Sequence, residues 1–181
     1  NQLFLDLYRQ RSGQPDAADA FVQALSRPHC GWPADGEFRE GVLRYPLFLG
    51  SHPDHRRLIL EALEDSFPHR VPASYQDLEV MLIVPIMPRP DWLAEIGGGE
   101  ELHWKLVGTL GNLTWGARGR SVSLRVAERK RELARLTRYS LELSRDLAQV
   151  ERWTADEIEG RSRRLADRAI AVWPGPRERS E

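Results

Sequence analysis

Cysteine is almost absent from this chain: Cys30 is the only one in 181 residues. The chain can close no disulfide of its own, which fits a reducing cytoplasm. A zinc site built on several thiolates is excluded with it. No apolar run approaches the roughly 20 residues of a membrane-spanning helix, and no secretory signal pattern is present, so no membrane partner is expected. An excess of either charge is missing too. The 26 Lys and Arg meet 27 Asp and Glu for a net charge of −1, which argues against a uniformly basic nucleic-acid binder and leaves room for a local basic patch. Internal repeats are lacking as well.

What remains is the composition of a soluble globular protein, 41% hydrophobic and 29% charged. The length fits one domain, or one domain with a small helical extension. A chain of this size folds without a metal or a disulfide. It opens at Asn1 inside an apolar pattern of Leu3, Phe4, Leu5 and Leu7, and we expect it to be a piece of a longer protein.

Apolar residues at helical spacing predict helices over residues 2–11 and 16–26, separated by Ser12-Gly13-Gln14-Pro15. A turn-rich stretch from Pro28 to Gly36 follows, and Asp35 is expected to cap a helix to about Arg44. Pro53 and Asp54 open another helix, with Leu58, Ile59, Ala62 and Leu63 on its inner side. Leu78 to Ile86 reads as a strand buried on both faces, ended by Pro88 and Pro90. Asp91 is expected to cap a short helix to Ile96, which Gly97-Gly98-Gly99 stops. Residues 100–107 follow as a helix, and Leu113-Thr114-Trp115 as a second short strand. One long helix is predicted over residues 126–149. Thr154-Ala155-Asp156-Glu157 reads as a capping box opening a last helix to Trp173, with Ile158, Leu165, Ala169, Ile170 and Trp173 inward. Pro174-Gly175-Pro176 ends it. The fold class is mostly α with a small β-hairpin, an α+β fold. A helical N-terminal subdomain over 1–70 precedes a domain over 71–174 and a disordered tail over 175–181.

Charge is distributed unevenly. Between Ala117 and Arg138 there are eight basic residues (Arg118, Arg120, Arg125, Arg129, Lys130, Arg131, Arg135 and Arg138) against Glu128 and Glu132, whereas 77–101 is mostly acidic. An Arg-Gly-Arg-Ser loop leading into a basic helix suits phosphate contacts through guanidinium forks and backbone N–H groups. The plainer alternative for the same residues is a solvated helix face with i,i+4 ion pairs. Arg161, Arg163, Arg164 and Arg168 either extend this patch or form the solvent side of the last helix.

Leu-Val-Gly-Thr-Leu followed by Gly111-Asn112-Leu113-Thr114, and then by a basic loop and helix, resembles the C-terminal nuclease domain of GmrSD- and SspE-type restriction and phage-defence proteins. In that family a preceding strand ends in Glu-His-Ile-Leu-Pro-Gln, and its His is the general base of an HNH, or ββα-metal, nuclease. The stretch here reads Met81-Leu82-Ile83-Val84-Pro85, and Trp92 keeps the family's ten-residue spacing from Leu82. Met81 then replaces the Glu and Leu82 the His. A second register aligns Met87-Pro88 with the family's Leu-Pro and places Pro85 at the His. Neither supplies a His. Lys130 matches the last Lys of the family's Phe-x-x-Lys, Ala127 stands for its Phe, and the downstream asparagines are missing. The resemblance covers residues 32–174.

The resemblance implies a degenerate ββα-metal core packed by helices. Asn112 is its one matching catalytic position, and His103, seven residues before Leu110, is the candidate substitute base. The simpler reading of His103 is a surface or half-buried residue on a short helix. No metal ligand set can be named, and Mg²⁺ is expected only if the nuclease site is intact. An arginine cannot replace the imidazole, since it stays protonated. His52, Asp54 and His55 form a metal-ligand cluster by type, but they also read as a helix start. His29 beside Cys30 is a similar pair, and His69 reads as a loop residue. Trp115 invites a stacked base, though the tryptophans read mostly as core. Arg118, Arg120, Arg125, Arg129, Lys130 and Arg131 are the candidate DNA contacts. The expected partners are DNA, modified or not, and an N-terminal NTPase-like domain of the same protein. Three functions are carried forward: a catalytically degenerate DNA-engaging domain, an active metal-dependent nicking endonuclease, and a protein–protein docking module for the NTPase-like domain.

Overall fold

A five-residue strand with alternating faces organises the fold. β1, Leu78–Leu82, pairs antiparallel with β2, Leu113–Ala117, from Leu78 opposite Ala117 to Leu82 opposite Leu113. Period two puts Leu78, Val80, Leu82, Leu113 and Trp115 on one face, where they join the larger core cluster. Glu79, Met81, Thr114 and Gly116 take the other face. Met81 lies over Gly116, where a Cβ would come within 2.0 Å of its sulfur. The protein is described by a computed structural model, covering residues 32–68, 74–119, 125–129, 131 and 141–175. The expected helices over 2–11 and 16–26, His29, Cys30, His69 and the tail beyond Gly175 lie outside the described residues.

The helices are α1 (Asp35–Arg44), α2 (Leu47–Gly50), α3 (Pro53–Asp65), α4 (Pro90–Ile96), α5 (Gly99–Leu106), α6 (Glu142–Ala148) and α7 (Ala155–Val172), and a 3-10 turn spans Leu110–Asn112. The described fold is therefore mostly helical with one small antiparallel sheet, an α+β arrangement. Among the described residues no helix is long and apolar enough to cross a membrane.

α7 is the spine. Ile158, Arg161, Ser162, Leu165, Ala166 and Ala169 recur at helical spacing and are all buried. This stripe packs on the 3-10 turn, α1 and α3. Thr154 caps the helix, its hydroxyl accepting from the Glu157 N–H. One core cluster draws on both sides of residue 70: Leu60 and Leu63 of α3 share it with Leu78, Leu113 and Leu165. Arg57 of α3 ties it further by donating to the Leu78 and Tyr75 carbonyls. Tyr75 stacks on Trp115 and gives its hydroxyl to Asp65. Burial, and then that carboxylate, push the Tyr75 phenol well above its usual value.

Several local expectations are corrected. The strand stops at Leu82 rather than Ile86, because Ile83 and Val84 turn away to bond Asn112. The single helix over 126–149 is interrupted: residues 126–129 are helical, but Leu141 is not. A new helix, α6, starts at Glu142 because the buried Glu64 carboxylate accepts the Glu142 and Leu143 N–H groups at 2.6 and 3.0 Å. Asp35 is not the cap of α1; Ala34 holds that position, and Asp35 accepts the Gly175 N–H instead. Asp91 likewise sits inside α4 and accepts from the Val126 N–H. Leu58 and Trp173, both expected inward, are 62% and 39% exposed.

Candidate functional site

Gly111-Asn112 occupies the 3-10 turn that hands the chain into β2, at the crossing of α7 and the hairpin. Gly111 is needed there for space. A Cβ at this position would meet the Ile158 carbonyl oxygen at 2.1 Å and Ser162 Oγ at 2.3 Å. The Gly111 N–H instead donates to Ser162 Oγ at 2.9 Å.

Asn112 is fully buried. Its Oδ1 accepts from the Val84 N–H at 2.9 Å, and its Nδ2 donates to the Val84 and Val107 carbonyls at 3.0 and 2.8 Å. The Asn112 backbone carbonyl accepts the Ile83 N–H as well. One amide side chain thus replaces the next rung of the ladder where β1 ends, and ties that end to the segment after α5. Both of its donors are consumed, and its oxygen faces backbone inside the core.

The two positions that the resemblance would align with the family's His are both apolar. Leu82 is 8% exposed within the core cluster, and Pro85 lies in the turn beyond β1. His103 does approach this place, but as a brace. It is 1% exposed, and its Nε2 donates to the Pro85 carbonyl at 2.8 Å. Its Nδ1 is buried with no hydrogen-bond partner among the described residues. Neither the surface nor the half-buried placement expected for His103 is found. Asn112 and His103 therefore grip adjacent residues, Val84 and Pro85, and hold the turn that follows β1.

Hard cations such as Mg²⁺ want several oxygen donors in near-octahedral array. The donor set fails that requirement: Asn112 is committed to backbone, while Met81 and Leu82 offer no oxygen. No group of three or more His, Cys, Asp or Glu is gathered among the described residues. His52 is the N-cap of α3, its Nδ1 accepting from the Asp54 N–H, so the His52-Asp54-His55 cluster is a helix start.

The basic stretch divides. Arg118, Arg125 and Arg131 are exposed. Arg118 follows β2, its N–H anchored on the Asp77 carbonyl, and Gly119 at φ +76° turns the chain while donating to Glu79 Oε1. Arg125 opens the helical turn over 126–129, and Glu128 accepts its N–H. Arg129 breaks the expectation: it is 4% exposed and points inward, with Nη1 3.8 Å from Met81 Sδ. Arg120 and Lys130 lie outside the described residues. On α7, Arg163 and Arg164 are exposed, while Arg168 lies over the Phe67 ring at 3.6 Å and bonds Ser66. Trp115 is fully buried, which removes it as a stacking platform.

Arg161 was the least legible residue. It is 1% exposed, and its guanidinium donates to the Gly111, Leu113 and Leu143 carbonyls at 2.9, 2.6 and 3.1 Å. It ties the 3-10 turn, β2 and α6 to α7. The available signal was position: Arg161 is three residues from Ile158 and four from Leu165, on the apolar stripe. Glu64, one and four residues from Leu63 and Leu60, carries the same signal on α3. Comparison with protein-family models, with curated proteins and with solved structures gives no match to this chain.

Proposed function

We propose that this chain is a DNA-engaging, HNH-like module of a restriction or phage-defence protein in which the catalytic centre has been converted into structure. One observation carries the reading. Where a ββα-metal site needs a base and a metal ligand, the hairpin end holds a buried Leu82 and an Asn112 whose amide is engaged by the Val84 and Val107 backbone. An apolar side chain takes no proton and binds no hard cation, so Leu82 supplies neither a base nor a metal ligand. The exposed Arg118, Arg125 and Arg131, just beyond β2, support contact with phosphates. Guanidinium forks match phosphate oxygens, and such contacts position a protein on DNA without reading sequence.

Replacing Arg118, Arg125 and Arg131 together with Ala tests this. Binding to duplex DNA should weaken to a similar degree on unrelated sequences. The slope of log affinity against log salt should fall by about 0.9 for each phosphate that is no longer neutralised, or nearly three units if all three arginines touch phosphate. Fluorescence anisotropy across a salt series measures it. Unchanged affinity and slope would remove the basic stretch from the reading.

A further inference from the structure

The C-terminal ends of α1 and α5 meet the middle of α7 around a cleft of about 450 Å³. Trp104 of α5 lines it at 55% exposure, an uncommon setting for a residue type that is mostly buried. The ring is nonetheless not left to wander. It packs edge to face with the His103 ring, with centroids 5.4 Å apart and planes at 73°. His103 is itself fixed by its bond to the Pro85 carbonyl. A braced indole therefore keeps a flat apolar surface open to the cleft, and Leu43, Pro46 and Leu106 add apolar wall.

Cations surround this ring. Arg44, Lys105 and Arg163 line the cleft and are exposed, against Glu159 as its one carboxylate. Each cation has an acidic neighbour one helical turn away: Arg44 with Glu40 at 3.0 Å, Lys105 with Glu101 at 2.7 Å, and Arg163 with Glu159 at 2.9 Å. Exposed pairs of this kind are weak. They give way to a phosphate, whose charged oxygens accept from guanidinium and ammonium groups in strong hydrogen bonds. A flat aromatic surface ringed by cations matches a flat aromatic ligand that carries anions, which is the chemistry of an unpaired nucleotide. In a duplex both faces of each base are covered by its neighbours, so an unpaired base is the one free to stack on an indole. Such stacking tolerates any base, since each has a π-face.

We propose that this cleft binds single-stranded DNA: one unpaired base stacks on Trp104, and the flanking phosphates lie against Arg44, Lys105 and Arg163. The cleft goes beyond the duplex contact proposed above and does not depend on it, since none of Arg118, Arg125 and Arg131 lines it.

Binding of fluorescein-labelled oligothymidine to the full chain, read by anisotropy, tests it. Trp104→Ala should weaken binding about 5- to 150-fold, while Trp104→Phe keeps most of the affinity. Trp104 is exposed, so neither change opens the core. Replacing Arg44, Lys105 and Arg163 with Ala should lower the slope of log affinity against log salt by about 0.7 for each phosphate that is no longer neutralised. Duplex binding should be unchanged in Trp104→Ala. Oligothymidine binding should keep its dependence on Trp104 when Arg118, Arg125 and Arg131 are replaced by Ala, so the two surfaces stand or fall separately. Oligothymidine affinity that is equal in Trp104→Ala and the parent, or absent from the parent, would overturn the proposal. So would self-association of the parent, without oligonucleotide, that Trp104→Ala abolishes, since the cleft would then seat a second copy of the chain.

Discussion

Asn112→Asp should remove a large part of the stability of this protein, about 3–5 kcal/mol, although the two side chains have nearly the same shape. The substitution turns two N–H donors into a carboxylate oxygen facing the Val84 and Val107 carbonyls, in a place fully removed from water. Each buried carbonyl left without its donor costs about 1–3 kcal/mol, and an unpaired buried charge adds more. Since whole domains are stable by only about 5–15 kcal/mol, the urea midpoint should fall sharply. The result separates two roles that the Gly-Asn-Leu-Thr motif leaves open. An asparagine serving only catalysis could be changed to aspartate with little loss of stability. One that replaces a rung of the β-ladder cannot.

Arg161→Ala is expected to cost a similar amount, about 3–5 kcal/mol, by a different route. Three carbonyls from three elements lose their donor at once, and the deleted side chain leaves a void in the core. At roughly 2–4 °C per kcal/mol for a chain of this size, the thermal midpoint should drop by about 10 °C. Arg161→Lys should recover only part of the loss, because one ammonium cannot span carbonyls of the 3-10 turn, β2 and α6 as the planar fork does. Arg163→Ala, two residues away on the exposed side of α7, should stay within about 0.5 kcal/mol of the parent. Differential scanning calorimetry on the three variants checks the set. Near-equal midpoints for Arg161→Ala and Arg163→Ala would mean that Arg161 does not tie the fold together.

These two residues show where the sequence was legible and where it was not. The hairpin was readable because Leu78 to Leu82 is mostly apolar and β-branched residues cluster beside it. The start of α7 was readable because Thr154 caps it from within the same stretch of chain. The burial of Leu82 also followed from its type. The end of β1 did not, because it depends on Asn112, 28 residues away, competing for the Val84 backbone. The break before α6 was hidden for the same reason: its cap, Glu64, lies 78 residues earlier on another helix. Local pattern registers a charged residue on an apolar stripe but not what it bonds, so Arg161 read as surface. Leu58 failed in the opposite direction. Its spacing matched the inner face of α3, yet it faces a groove that the described residues do not close.

One assay tests directly whether the proposed site has lost catalysis. Supercoiled plasmid is incubated with the chain at low salt in Mg²⁺ or Mn²⁺, then run on agarose before and after the protein is stripped away. The expected result is plasmid retarded while protein is bound, release as salt rises, and fully supercoiled plasmid after stripping. Metal-dependent open circles that disappear when His103→Ala replaces the parent would contradict the claim, because the buried brace against Pro85 would then be a working base.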